Sequence, residues 1–384
     1  MKTDFLAEAL AATERDRRAR SLHVIAPLAG MRVSVDGREA VDFCSNDYLG
    51  LARDPRVAEA AARAARDLGA GAGSARLITG TRDLHLALEA ELAALVGREA
   101  ALLFGAGYLA GIGIVPALVG RGDAVFSDAS NHACLIDGCR LSRADVFVHP
   151  HGDADALAGL LARATGARRR LVVTESVFSM DGDVAPLREI AGLCERFDAL
   201  LVVDEAHAIG VIGEGGEGVA RSLGLESRVD VLIGTLGKAL GAFGAFAAGL
   251  REMVRYMMHR ARPFVFQTAL PPPVVAAARE SLRLLREDAA LLPRWRANAA
   301  RLRAGLGLGA GHASGIFPIV LGSEDAALAA SAKLLDAGYL VQAIRPPTVP
   351  PGTSRLRVTV SAAHEAAEID GLAAAVSRIV ARLD

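Results

Sequence analysis

The chain has 384 residues, 52% hydrophobic and 23% charged, with 43 basic and 44 acidic side chains and a net charge of −1. That size and apolar content exclude a small lone module and a disordered polymer, and they predict two or three packed units. The balanced charge argues against a protein built to hold nucleic acid, because neutralising phosphates needs a concentrated positive field.

Residues 1 to about 45 read as an arginine-rich helix followed by a short strand pair. The opening MKTDFLAEALAATERDRRAR is charged throughout and has no apolar core of the leader type. From about 46 to 280, short apolar runs alternate with helical periodicity. Ala100–Phe104, Ala124–Ser127, Val146–Val148, Leu171–Thr174, Leu200–Val203, Val231–Gly234 and Phe243–Ala248 read as strands. Leu84, Leu88, Leu92 and Leu95 recur at helical spacing, and Pro186 suits the first position of a helix over LREIAGLCERF. This alternation predicts an α/β fold with a mostly parallel sheet covered on both faces. The uncharged stretch Ala101–Gly120 contains five glycines and Pro116 and has no partner segment, so it reads as strand, turn and helix rather than a membrane span. Pro271–Pro273 start a connecting helix. Beyond about 280 the pattern becomes a smaller α+β unit, with a strand at Ile316–Leu321, a helix near Ala326–Leu335, strands near Tyr339–Ile344 and Leu356–Val360, and a final helix. Cys44, Cys134, Cys139 and Cys194 show no CxxC spacing, so neither a metal site nor a disulfide framework is expected. A soluble, cytoplasmic protein is the expectation.

Only three lysines exist: Lys2, Lys238 and Lys333. Lys2 lies near the N-terminus and Lys333 in a surface-helix pattern. Lys238 follows an apolar strand in VLIGTLGKALGAFGAF, flanked by Gly234, Gly237, Gly241 and Gly244. An amine there is paired, desolvated or covalently used, and Schiff-base chemistry needs one such lysine. In LLVVDEAHAIGVIG, Asp204 closes an apolar strand and His207 follows three positions later, where open parallel sheets bind ligands. His132 in SNHACLIDG and Ser179 in TESVFSMDGD follow two further strand ends. Gly105, Gly107 and Tyr108 stand before or at a helix start, where free amides could hold a phosphate. GEGGEG at Gly213–Gly218 begins ten residues past its strand and reads as a flexible loop, and GAGAGSAR lacks a Walker lysine.

TLGKALG, VDEAHAIGVIG and NHACLIDG together resemble the α-oxoamine synthases, enzymes dependent on pyridoxal 5'-phosphate. The likeness runs over nearly the whole chain through NDYLGL (Asn46–Leu51), TESVFSMDGD, RPFVFQTALPP and RLRVTVSAAH. It implies the fold type I transferase architecture, an N-terminal segment over 1–45, a large cofactor-binding domain over 46–280 and a C-terminal domain over 281–384. It further implies that Lys238 binds the cofactor aldehyde, Asp204 pairs with the ring nitrogen, His207 with the ring hydroxyl, and His132 stacks on the ring and touches substrate. Gly107, Tyr108 and Thr235 would help hold the phosphate, with Ser179 beside the cofactor and Thr268 reaching the phosphate of a neighbouring subunit in a homodimer. Arg357 would bind the amino-acid carboxylate, and Thr348 and Arg20 are candidate substrate contacts. AIRPPTVPPGTSRLR (Ala343–Arg357) is most similar to the member that joins L-alanine to pimeloyl-CoA or pimeloyl-ACP. Three departures stand out: Ala-Gly-Ser near residue 72 for Gly-Gly-Ser, Pro150–Asp153 where HND is usual, and Ile209 for a small or hydroxyl residue. They are expected to alter acyl-chain fit at most. Sister reactions on glycine or serine, an aminotransferase and a non-catalytic partner subunit are the alternatives. The last would lack the lysine.

Overall fold

The computed structural model describes residues 2–16, 18–309 and 314–381. Packing groups them into two compact units, one of residues 47–295 and one of residues 1–46 with 296–384.

The larger unit is organised on a seven-stranded sheet. Across it the order is Ala100–Phe104, Ala245–Gly249, Val231–Thr235, Ala199–Asp204, Arg170–Glu175, Ala124–Asp128 and Asp145–His149. Neighbours pair in parallel from Val231–Thr235 outward to Asp145–His149, while Ala245–Gly249 runs antiparallel to both of its partners. The inner strands are apolar without alternation, as sheets buried on both faces require. Each expected strand is present to within one residue at its ends, except that Phe243–Ala248 begins two residues later, at Ala245. Gly244 has φ +114 and Phe243 is exposed, so a turn occupies the predicted start.

The uncharged stretch resolves into the strand Ala100–Phe104 and the helix Gly107–Leu118. Among the described residues no helix is long and apolar enough to cross a membrane. Helix Gly107–Leu118 lies against helix Ala133–Ser142 almost backbone to backbone. A Cβ added at Gly138 would meet the Gly111 carbonyl oxygen at 2.7 Å, and one at Gly111 would meet Cys134 at 2.9 Å. The N-termini of two site helices are thereby held side by side. Pro186 is the cap before helix Leu187–Arg196 rather than its first residue. Helix Pro272–Glu287 starts in the proline run, as expected.

In the smaller unit, Arg38–Asp42 pairs antiparallel with Arg32–Val35 and in parallel with Tyr339–Leu340. Ser354–Thr359 lies between Ile316–Gly322 and Gln342–Ile344 in a three-stranded sheet. The run expected as one strand near Tyr339–Ile344 is therefore two, because the chain leaves one sheet for the other at Val341. Phe43, Leu334, Leu356 and Ile369 form part of one core. Residue 280, read from sequence as a border, falls inside helix Pro272–Glu287. The packing border at Arg296 falls inside helix Leu291–Gly305.

Gly241 has φ +57, and a Cβ there would meet the Ala52 amide nitrogen at 2.3 Å. Left-handed strain and a clash with backbone act in the same direction. Gly241→Ala is expected to lower unfolding stability by roughly 2–4 kcal/mol, measured by denaturant titration.

Candidate active site

Strand Val231–Thr235 delivers Lys238 on a tight turn. The Thr235 hydroxyl donates to Gly244 O (3.1 Å) and accepts from Gly237 N (3.2 Å). Gly241 N donates to Lys238 O at 2.9 Å and Ala242 N to Leu236 O at 2.8 Å. With its backbone pinned, the lysine directs Nζ to within 2.7 Å of His207 Nε2. His207 Nδ1 is in turn 2.7 Å from the hydroxyl of buried Tyr48.

Asp204 ends the adjoining strand and is only 5% exposed. Oδ1 accepts from Ala206 N at 2.9 Å, whereas Oδ2 faces the Cys134 thiol at 4.0 Å. Burial raises the affinity of this carboxyl for its proton, and the charge of Lys238 opposes that most strongly. Glu175 is its register partner on the next strand, also buried. Burial first, and the charge of Asp204 second, push Glu175 up to about 8. The amides of His132 and Ser179 donate to Glu175 and so tie two site loops to it. Among the described residues Glu175 Oε1 has no hydrogen-bond partner.

His132 caps helix Ala133–Ser142, its Nδ1 accepting from Cys134 N at 3.3 Å. Desolvation lowers its basicity, opposed by Asp204 and reinforced by Lys238. Gly107 is the first residue of its helix, and a Cβ there would meet nothing within 4 Å. Tyr108 is 43% exposed, its hydroxyl donating to Asp137. Ser179 is buried. Thr268 is exposed and bridges Ala75. Its neighbour Gln267 packs on Gly105, where a Cβ would meet Nε2 at 1.9 Å. The nine residues expected to hold the cofactor, Gly107, Tyr108, His132, Ser179, Asp204, His207, Thr235, Lys238 and Thr268, all belong to the larger unit.

Arg20, Thr348 and Arg357 belong to the smaller one. Arg357 is 7% exposed, and both terminal nitrogens lie 3.2 Å from Asn46 Oδ1. Arg20 and Thr348 line one cavity of about 790 Å³ together with Arg18, His23 and Arg345.

Tyr48, Cys134 and Glu175 were not among the site residues expected from the sequence. For Glu175 a signal existed: LVVTE and LLVVD are adjoining apolar strands that both end in an acid. GEGGEG forms a loop, as expected, but a braced one, since Gly215 N donates to Glu217 Oε2 at 2.7 Å and Gly210 N to Gly216 O at 2.7 Å. The departure at Pro150–Asp153 has a structural role. His151 bridges Asp128 Oδ1 (3.0 Å) and Asp183 Oδ2 (2.9 Å), joining the loop before His132 to the loop after Ser179.

The donor set fits the cofactor that the resemblance implies. A reactive amine, a buried acid with one oxygen short of close donors, two imidazoles and an open helix N-terminus are what an aldehyde, a pyridine nitrogen and a phosphate require.

Residues 38–376 match the family described as Aminotransferase class I and II. The chain is 57% identical over 381 residues to an 8-amino-7-oxononanoate synthase of Anaeromyxobacter dehalogenans, covering 98% of this chain and 96% of that one. It is 48% identical over 366 residues to one of Geobacter sulfurreducens, covering 94% of each. Its fold is similar to a serine palmitoyltransferase variant from S. paucimobilis with a bound PLP–myriocin aldimine (TM-score 0.93, 30% identity, 100% and 98% of the two chains). It is also similar to 8-amino-7-oxononanoate synthase from Francisella tularensis (TM-score 0.75, 27% identity, 89% and 98%).

The bonds to Asp128 first, then Asp183, push the His151 imidazole up to about 10, above the ordinary histidine value of about 6.5. A basicity raised by folding stabilises in full below the unfolded value and is lost as pH rises through the folded one. His151→Ala is therefore expected to cost on the order of 1–3 kcal/mol near pH 6, after allowing for partial exposure, and progressively less towards pH 10. Urea unfolding of both proteins across that range measures it.

Proposed function

The chain belongs to the class I and II aminotransferase family, and we propose that within it the protein is an 8-amino-7-oxononanoate synthase using pyridoxal 5'-phosphate. Its reaction joins Cα of L-alanine to the carbonyl of a pimeloyl thioester, of coenzyme A or acyl carrier protein. The thiol leaves and the alanine carboxyl departs as CO2, as in biotin biosynthesis. The observation that carries the reading is the convergence of Lys238, His207 and Asp204 at adjacent strand ends, in a chain so like relatives of that name over nearly its full length. When bound, the cofactor supplies an aldehyde for capturing an amine and a cationic ring that withdraws electrons from Cα.

The chain's own residues do the rest. Lys238 Nζ holds the cofactor at rest, and once freed it takes and returns the proton at Cα of the amino acid. Asp204 keeps the ring nitrogen protonated, worth about 1.4 kcal/mol for each tenfold gain. Burial serves this role, because a desolvated carboxylate gains more from a cation than an exposed one does. His132, less basic than an ordinary histidine, offers a neutral imidazole face to ring and substrate. Gly107, Tyr108 and Thr235 hold the phosphate, with Ser179 beside the ring. Arg357, fixed by Asn46, clamps the alanine carboxylate. The cavity lined by Arg20 and Thr348 takes the acyl portion, and its arginines suit a terminal carboxylate.

A homodimer and a cytoplasmic location complete the proposal. Ile78, Phe243 and Phe266 are exposed apolar side chains that a second copy would cover, with Thr268 reaching the partner's phosphate. The likeness in fold to serine palmitoyltransferase supports a sister reaction on serine as the second reading.

Lys238→Ala is expected to lose both turnover and the borohydride-fixed cofactor mass on the intact chain; retention of either refutes the role of the amine. Arg357→Ala is expected to raise the alanine KM by roughly 10- to 100-fold, as loss of a bidentate charge-assisted contact implies, with a smaller change in the thioester KM. Assay of alanine, glycine and serine against pimeloyl, acetyl, succinyl and palmitoyl thioesters is expected to single out alanine with pimeloyl. Preference for serine with palmitoyl would establish the second reading.

A further inference from the structure

Tyr48 Oη, His207 and Lys238 Nζ form an unbroken line of contacts, 2.7 Å at each step. Tyr48 is 1% exposed and among the largest fully buried side chains. Its turn is held rigid, because the Asp47 carboxylate accepts from Leu51 N at 2.9 Å and Ala52 N at 3.1 Å. A buried tyrosine ring contributes packing, but its hydroxyl must find a polar partner. Here that partner is the imidazole touching the reactive amine.

A neutral imidazole carries one N–H, and what each nitrogen faces decides which one. Towards an ammonium on Lys238, which only donates, Nε2 accepts and Nδ1–H donates to the Tyr48 oxygen. Towards an anionic oxygen, the imidazole serves best with its proton on Nε2, and Nδ1 then needs a donor. A hydroxyl meets both demands by turning its hydrogen, whereas a carboxylate or carbonyl would fix the proton on Nδ1. The contrast lies in the same chain. His151 sits between two carboxylates, and His85 faces the Leu270 carbonyl through Nε2 and the Arg82 amide through Nδ1. Neither arrangement is reversible in this way.

We infer that Tyr48 is a positioning residue whose hydroxyl lets His207 change the nitrogen that bears its proton. His207 can then present a lone pair to the free lysine amine and an N–H to the ring oxygen of the bound cofactor. The inference rests on the cofactor reading proposed above, because that oxygen is what the N–H meets. Donation from Nε2 stabilises the ring oxyanion, the form that absorbs in the visible when the aldehyde is joined to the lysine.

The test uses purified holoenzyme, native and Tyr48→Phe, with intact mass after borohydride reduction, the ratio of visible to near-ultraviolet cofactor absorbance at fixed neutral pH, steady-state kinetics and thermal unfolding. The variant is expected to keep the adduct and unfold near the native temperature. Its visible share should fall severalfold, and kcat should drop roughly 10-fold, the order seen when a partner orienting a functional imidazole is lost, with the alanine KM little changed. Fluorotyrosine at position 48, a stronger donor of nearly the same size, should raise the visible share. A native visible share in Tyr48→Phe overturns the inference. If that variant does not fold, the fluorotyrosine protein decides, and no change in its visible share overturns the inference. Native enzyme without an adduct on Lys238 overturns the cofactor reading, and this inference with it.

Discussion

A carboxylate removed from water at a strand end, with a lysine amine as its main compensating charge, is the constraint on which the site depends. Asp204 is nearly inaccessible, accepting from one backbone amide and facing a thiol 4.0 Å away. Isolated in that way, the acid would take up a proton. Lys238 opposes that, and a cationic heterocycle would oppose it more. Glu175 beside it sharpens the problem, since two adjoining buried acids do not both ionise readily. Burial and the charge of Asp204 push Glu175 up to about 8, whereas for Asp204 the strongest influence after burial is the opposing charge of Lys238.

The scaffold makes this arrangement affordable by concentrating rigidity around it. Parallel strands deliver Glu175, Asp204 and the Lys238 turn to one end of the sheet. The glycine contact between helices Gly107–Leu118 and Ala133–Ser142 sets the open helix start near the His132 cap. His151 braces the flanking loops with charge-assisted bonds, so the reacting groups need not hold one another in place.

Much of this was legible in the sequence because apolar runs report burial directly. The strands of the large sheet, and the acid and amine that follow two of them, announce themselves by period and position. The N-terminal strands were harder. Arg38–Asp42 finds a partner in Tyr339–Leu340, a pairing that no local pattern encodes. The break at Val341 was hidden for the same reason, since one continuous β-prone run serves two sheets. At the site, residues with unusual chemistry for their setting stood out, whereas Tyr48 was not singled out within NDYLGL and His151 stood only as part of a local departure. Their roles depend on what lies across the fold, His207 for one and two aspartates for the other.

The parallel pairing of Val41 with Tyr339 also bears on how the chain is made. Ribosomes add roughly 5–20 residues per second, so the first strands emerge tens of seconds before the segment that completes their sheet. The intervening residues 47–295 hold their own core and can collapse meanwhile. The nascent N-terminus therefore carries an unsatisfied strand edge through most of translation, a period in which chaperone protection would guard it against pairing with other chains.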